Sequence, residues 1–190
     1  MKILVFIPCY NCPKEIEILI QKLSKTNLKK YNFSFLFIDN NSKDKTINSI
    51  LYATKKYNLK DYKIFHNTEN YGVGGSHKIA FYYAIKNLFD YVCVLHGDSQ
   101  SDPFDIEDVI VNNKLNNCSG VLGSRFMLGA KRYNYSFLRT VGNICINIIY
   151  SICLMKKITD LGSGLNFYSV RKKIWHSITR TECLLLMHLH

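Results

Sequence analysis

The chain has 190 residues, 47% of them hydrophobic and 21% charged. Those values suit one packed domain and exclude a disordered chain. The net charge of +11 is one-sided, since residues 114–180 hold eleven Lys or Arg against the single acid Asp160 while the first 113 residues are close to neutral. Such a basic half suits an anionic partner, whether a phosphate-bearing small molecule, a membrane surface or nucleic acid, or else it is a solvated lysine coat.

In chain order, residues 3–7 form a continuous apolar strand ended by Pro8. Pro13 then suits the first turn of a helix with Ile16, Leu19, Ile20 and Leu23 on one face. A second strand over 33–38 ends at Asp39, and Ser42 is the expected N-cap of a helix with Ile47, Ile50 and Leu51 inward. A third strand over 62–66 runs into the glycine-rich stretch 70–76, with helical character from Ile79 to Ile85. The fourth strand, 91–95, stops abruptly at His96-Gly97-Asp98-Ser99-Gln100-Ser101-Asp102-Pro103. Pro103 starts a helix carrying Ile106, Val109 and Ile110, and 120–123 is a short strand. Strands alternating with helices to this point predict an α/β fold with a mostly parallel central sheet flanked by helices.

Beyond Arg125 the pattern changes: 131–138 is polar and aromatic, 139–155 reads as a long apolar helix, and 159–164 is a loop before a strand over 165–170. The uncharged span 140–155 is shorter than the roughly 20 residues that cross a bilayer. It reads equally as a core helix or as a helix lying on a membrane. No repeat or linker marks a second domain, and the N-terminus shows no signal-peptide pattern.

Of the seven cysteines, Cys93, Cys145 and Cys153 sit in apolar runs and read as reduced core residues of a cytosolic protein. Cys9 and Cys12 form one C-x-x-C, but no second Cys or His pair stands at zinc-site spacing, which argues against a metal or redox centre.

Four strands running in one sense bring Tyr10, Asp39, the glycine stretch and Asp98 to one carboxyl edge, where open α/β sheets bind ligands. Asp98 and Gln100 alternate on an extended segment, and their hard oxygens suit Mg2+ or Mn2+; a polar turn closing the strand is the plainer reading. His96 is either a third ligand or a hydrogen-bonded structural residue. Asp39 can accept from a nucleobase or ribose while Tyr10 stacks on the base, or Asp39 can simply cap the turn with Ser42 and Asp44. The segment Gly72-Val73-Gly74-Gly75 can bring backbone N–H groups to a phosphate, or make a tight turn; it lacks the dinucleotide G-x-G-x-x-G spacing.

Seven motifs in order, IPCYN at 7–11, FIDNNSKDKT at 37–46, NYGVGGS at 70–76, HGDSQSDP at 96–103, GSR at 123–125, RTVGN at 139–143 and DLGSG at 160–164, resemble glycosyltransferase family 2. Within that family they resemble the branch of dolichyl-phosphate mannose synthase and related polyprenyl-phosphate sugar synthases. The resemblance implies a GT-A (Rossmann-like nucleotide-sugar-binding) fold and a single catalytic domain over 1–190. It implies an inverting, metal-dependent transfer from a UDP- or GDP-sugar to polyprenyl phosphate at the cytoplasmic membrane face, or to a saccharide hydroxyl in cell-surface glycan synthesis. Pro8, Tyr10, Asn11, Asp39, Gly74 and Asp98 then correspond to donor-binding residues, with Asp98 and Gln100 on the metal. Arg125 and Arg139 correspond to phosphate contacts, and Asp160 and Ser163 to acceptor-side residues. Asp98, Arg125 and Asp160 are the candidates for the chemistry, Asp160 as the base a hydroxyl acceptor requires.

Three departures stand out. Cys12 replaces an acid common in the family, His96 replaces an Asp, and the tail 184–190 resembles nothing in it, so a truncated or frame-shifted C-terminus is expected. An inactive nucleotide- or partner-binding homologue is the remaining alternative. No nucleic-acid partner is expected, because the aromatic residues follow core periodicity instead of interleaving with the basic ones.

Overall fold

The computed structural model of the chain describes residues 1–98, 101–115, 118–124, 126 and 137–170, and of residues 29, 137, 138 and 139 the backbone alone. The elements are β1 (Lys2–Cys9), α1 (Pro13–Lys25), a 3-10 turn (Asn27–Lys30), β2 (Asn32–Asp39), α2 (Thr46–Lys56), β3 (Tyr62–His66), α3 (Gly72–Lys86), β4 (Tyr91–Leu95), α4 (Phe104–Val111), β5 (Gly120–Leu122), α5 (Phe137–Cys153) and β6 (Leu165–Ser169). They build a six-stranded sheet in the order β3-β2-β1-β4-β6-β5. β1 runs parallel to β2 and β4, and β2 to β3, while β6 is antiparallel to β4 and β5. The expected mostly parallel α/β sheet is therefore present, with β6 alone reversed.

Period-two alternation explains why the strands read as continuous apolar runs. In β1, Ile3, Val5, Ile7 and Cys9 pack with α1, α2 and α4 on one face. Leu4 and Phe6 pack with Ala80, Phe81 and Ala84 of α3 on the other. Both faces are covered, as parallel strands require. Helix α1 begins at Pro13 and buries the expected Ile16, Leu19, Ile20 and Leu23; each such side chain contributes about 1.5–3 kcal/mol relative to exposure.

Several expectations are corrected. Helix α2 starts at Thr46, and its first turn is held by Asp44 Oδ1, which accepts from Thr46 N–H at 2.9 Å, so Ser42 is not its cap. Its buried face is Thr46, Ile50, Ala53 and Thr54; Leu51 points outward. The glycine stretch is not a loop before a helix but the first turn of α3.

Helix α5 is not a core helix in this arrangement. Val141, Ile144, Ile148, Ile149 and Ile152 are exposed, as are Cys145 and Cys153, which were expected in the core. The residue α5 buries is polar: Asn147 Nδ2 donates to the Thr159 carbonyl at 2.9 Å, and the half-buried Ser151 accepts through Oγ from Ile158 N–H at 2.9 Å. The helix is thus anchored to the 158–161 loop by hydrogen bonds, and its apolar side is left outward. The tail 184–190 lies outside the described residues. Among the described residues no helix is long and apolar enough to cross a membrane.

Candidate donor site at the sheet switch point

The chain runs from β1 outward to β2 and β3, then returns to lay β4 on the other side of β1. Such a reversal opens a crevice between the two diverging strand ends. A cavity of about 160 Å³ lies there. Its walls are Pro8, Cys9 and Tyr10 from the end of β1, Cys12 from the start of α1, Asn40 after β2, Val73 and Ser76 of α3, and His96, Gly97 and Asp98 after β4.

Close backbone approach fixes this geometry. Gly97 N–H donates to the Pro8 carbonyl at 3.2 Å, and a Cβ at Gly97 would stand 2.9 Å from that same oxygen. Only glycine lets the segment after β4 lie so close to the end of its parallel neighbour β1, and that approach sets Asp98 on the cavity wall. His96 N–H donates to the Gly164 carbonyl at 3.2 Å, which holds the 160–164 turn against the end of β4. Reversal of β6 has the same consequence, because a strand antiparallel to β4 must begin at its carboxyl edge.

Asp39 has no exposed surface. Its Oδ2 accepts from Ser42 N–H at 3.1 Å and lies 2.8 Å from His66 Nδ1, and its Oδ1 accepts from the Ser42 hydroxyl. The turn-capping role with Ser42 is therefore present, while Asp44 serves α2 instead. A nucleoside reaches this carboxylate only where Ser42 or His66 gives way. Ser42 Oγ in turn accepts from Asn11 N–H at 2.9 Å, and Asn11 Oδ1 accepts from Lys43 N–H at 3.0 Å. These bonds hold Asn11 in the left-handed region, φ 49°, and leave Tyr10 half exposed at the rim.

The start of α3 is tied down by asparagines. Asn40 Oδ1 accepts from Asn67 Nδ2 and Tyr71 N–H, both at 2.9 Å, and Asn70 Oδ1 accepts from Gly72 N–H at 2.8 Å. A Cβ at Gly75 would collide with Tyr71 Cβ, whereas one at Gly74 meets nothing within 4 Å. With Val73 and Ser76 on the cavity wall, the positive end of the α3 dipole favours an anion there.

The two thiols on the wall differ. Burial pushes Cys9 well above its ordinary range, whereas the hydrogen bond from Cys9 is the largest influence on Cys12 and draws it down.

The expected residues are only partly brought together. Pro8, Tyr10 and Asp98 share the cavity, whereas Asn11, Asp39 and Gly74 do not line it, each being the chain neighbour of a residue that does. Asp160 and Ser163 are buried in the 160–164 turn, where Asp160 Oδ1 accepts from Gly162 N–H at 3.0 Å and Ser163 Oγ donates to the Leu165 carbonyl at 3.2 Å. Neither lines the cavity. Gln100 and Arg125 lie outside the described residues, as does the side chain of Arg139 in the first turn of α5.

Donor chemistry at the cavity fits a divalent ion only in company with a ligand. Asp98 is a hard carboxylate on an open wall, but among the described residues no group of three His, Cys, Asp or Glu could hold a metal alone. One carboxylate completed by diphosphate oxygens and water matches the way Mg2+ is usually bound. Sequence reasoning missed Asn40 and Ser76. The run of asparagines at 40, 41, 67 and 70 was the available signal.

The chain matches the model of the family described as Glycosyl transferase family 2 over residues 4–175. In fold it is similar to the crystal structure of S. aureus TarS 1-349 in complex with UDP-GlcNAc, at 20% identity and TM-score 0.60, covering 98% of this chain and 52% of that one. It is likewise similar to the mannosyltransferase PcManGT from Pyrobaculum calidifontis in complex with GDP-Man and Mn2+, at 12% identity and TM-score 0.63, covering 93% and 46%. A third similar structure is glucosyl-3-phosphoglycerate synthase from Mycobacterium tuberculosis with phosphoglyceric acid, at 15% identity and TM-score 0.60, covering 89% and 57%. The chain thus spans about half the length of these structures. The match spans every one of the motifs and the residues around the switch-point cavity, and the chain belongs to glycosyltransferase family 2 and has its GT-A α/β fold.

Proposed function

We propose that the switch-point cavity binds a UDP- or GDP-sugar and that the chain transfers the sugar, with inversion, to an anionic polyprenyl phosphate. The observation that carries this reading is the convergence of Tyr10, Asn40, Ser76 and Asp98 with the N-terminus of α3 on one cavity between β1 and β4. Tyr10 offers an aromatic face to the base, and the α3 N-terminus offers positive potential to the diphosphate. Asp98, with Gln100, would hold Mg2+ or Mn2+, which when bound neutralises charge developing on the departing nucleoside diphosphate. Arg125 and Arg139 are the proposed phosphate contacts.

A phosphate acceptor is already an anion and attacks without a general base. The outward isoleucines of α5, followed by Lys156 and Lys157, favour a lipid-linked acceptor and peripheral contact with the inner face of the membrane. Burial of Ser163 and Asp160 supports roles for them in shaping the acceptor side more than in touching it. The second reading, a saccharide hydroxyl, is favoured by the carboxylate of Asp160 in the turn joined to β4 through Gly164; there Asp160 would be the base.

Sugar transfer assayed with polyprenyl phosphate in vesicles against soluble saccharide acceptors separates the two. Product that needs the lipid phosphate and shows no acid limb assignable to Asp160 supports the first reading. Product formed only on saccharides, and lost in Asp160→Asn, overturns it.

A further inference from the structure

Cys9 and Cys12 are both reduced and both line the cavity. Cys9 Sγ donates to the Ile7 carbonyl at 3.4 Å, and a Cβ placed at Gly97 would lie 3.4 Å from Cys9 Sγ and 3.6 Å from Cys12 Sγ, so both sulfurs border the same point just after β4. Cys12 is the N-cap residue of α1, followed directly by Pro13. A thiol at a helix N-terminus and three residues from a second thiol has the setting that favours thiolate chemistry. Zinc-pair spacing, the criterion that argued against this pair in the sequence, does not bear on disulfide exchange.

We propose that Cys9 and Cys12 form a thiol–disulfide exchange site in the wall of the donor cavity, taking a low-molecular-weight disulfide as its substrate, and that oxidation closes the cavity to nucleotide. Cys12 is the attacking sulfur and Cys9 the resolving one. The Cys12 thiolate displaces one thiolate from the small disulfide and forms a mixed disulfide. Cys9 then gives its proton to solvent and attacks the Cys12 sulfur, releasing the second thiolate. The protein loses two protons and two electrons, and one small disulfide becomes two thiols. The directions found for the two thiols agree with this order, since Cys12 ionises first and the buried Cys9 is held as the thiol.

Closure follows from what lies between the cysteines. A disulfide brings the sulfurs to about 2.05 Å, and the intervening Tyr10-Asn11 turn must accommodate the change. Asn11 is pinned in the left-handed region by Ser42 and Lys43, and Ser42 is pinned by Asp39. Movement of the turn therefore displaces Tyr10 and the Ser42–Asp39 contact together. Closure rests on the donor-cavity reading; the exchange site does not.

The test equilibrates the full chain with glutathione disulfide, blocks remaining thiols, and maps tryptic peptide 3–14, which holds Cys9 and Cys12 and no other cysteine. The same samples are titrated with UDP and GDP by calorimetry. Expected are an unalkylated peptide about 2 Da lighter than its reduced form and nucleoside diphosphate affinity at least tenfold weaker, restored by dithiothreitol. Cys12→Ser should form no such disulfide and bind equally in both buffers. Alkylation of both cysteines after oxidant overturns the exchange site. A mapped disulfide with unchanged affinity overturns closure. Reduced protein that binds neither nucleotide removes the donor reading and closure with it, and the peptide mass then decides the exchange site by itself.

Discussion

Asp39→Ala is the sharpest test of how the cavity is held together. The carboxylate has no exposed surface and takes hydrogen bonds from Ser42 N–H, the Ser42 hydroxyl and His66 Nδ1. Hydrogen bonds to a charged group are worth about 1.5–3 kcal/mol each, and they do not add in full. His66 is about half exposed, so water replaces that partner cheaply, and the loss falls mainly on Ser42. A net cost of about 3 kcal/mol follows, which in a domain of this size lowers Tm by about 6–12 °C. Thermal melts at neutral pH check it beside Ser42→Ala, which keeps the carboxylate and should lose only about 1 kcal/mol. Nucleoside diphosphate binding, measured well below either Tm, should weaken in both variants because Asn11 loses its anchor. A drop in Tm under about 2 °C for Asp39→Ala would refute the reasoning.

Three further outcomes are expected. Gly75→Ala, whose Cβ collides with Tyr71 Cβ, should cost about 1–3 kcal/mol, whereas Gly74→Ala, with nothing within 4 Å, should be neutral or stabilising; chemical denaturation compares the pair. Asp105 sits above its ordinary carboxyl range, first because of partial burial and then because of Asp102 and Asp108. The folded state therefore binds that proton more tightly than the unfolded chain, and its contribution is lost as pH rises from the ordinary carboxylate value to the raised one. Asp105→Asn should gain on the parent through that window and hold a constant difference above it, and a difference that is flat with pH contradicts the assignment. Ile152→Glu on the outward side of α5 should change stability by less than about 0.5 kcal/mol yet weaken binding to anionic vesicles in a sedimentation assay; a large loss of stability would mean that α5 packs inward.

Much of the fold was legible: β4, buried along its whole length, reads as a plain apolar run and falls on the expected residues, as does the more exposed edge strand β3, and Ile16, Leu19, Ile20 and Leu23 mark the buried face of α1. The start of α3 was not, because glycine is a poor helix former. Here, however, Gly72 takes a positive φ at the entry and Gly75 makes room for Tyr71. Helix α5 left two readings, a core helix or one lying on a membrane, because apolar content alone does not say what covers it; Asn147 and Ser151 carry its attachment. Within the site, Tyr10 and Asp98 were legible as polar groups following strand ends. Asn40 and Ser76 were not, since their placement depends on hydrogen bonds between segments far apart in sequence.

Release of nucleoside diphosphate tests the central claim most directly. The folded chain is given a panel of UDP- and GDP-sugars with Mn2+ or Mg2+, with and without polyprenyl phosphate, beside Asp98→Ala. Release is expected from one donor, requires the metal and the lipid phosphate, and falls at least about a hundredfold in Asp98→Ala, as loss of electrostatic stabilisation at the leaving group should produce. No release from any donor by the folded protein, or release unaltered in Asp98→Ala, would contradict it.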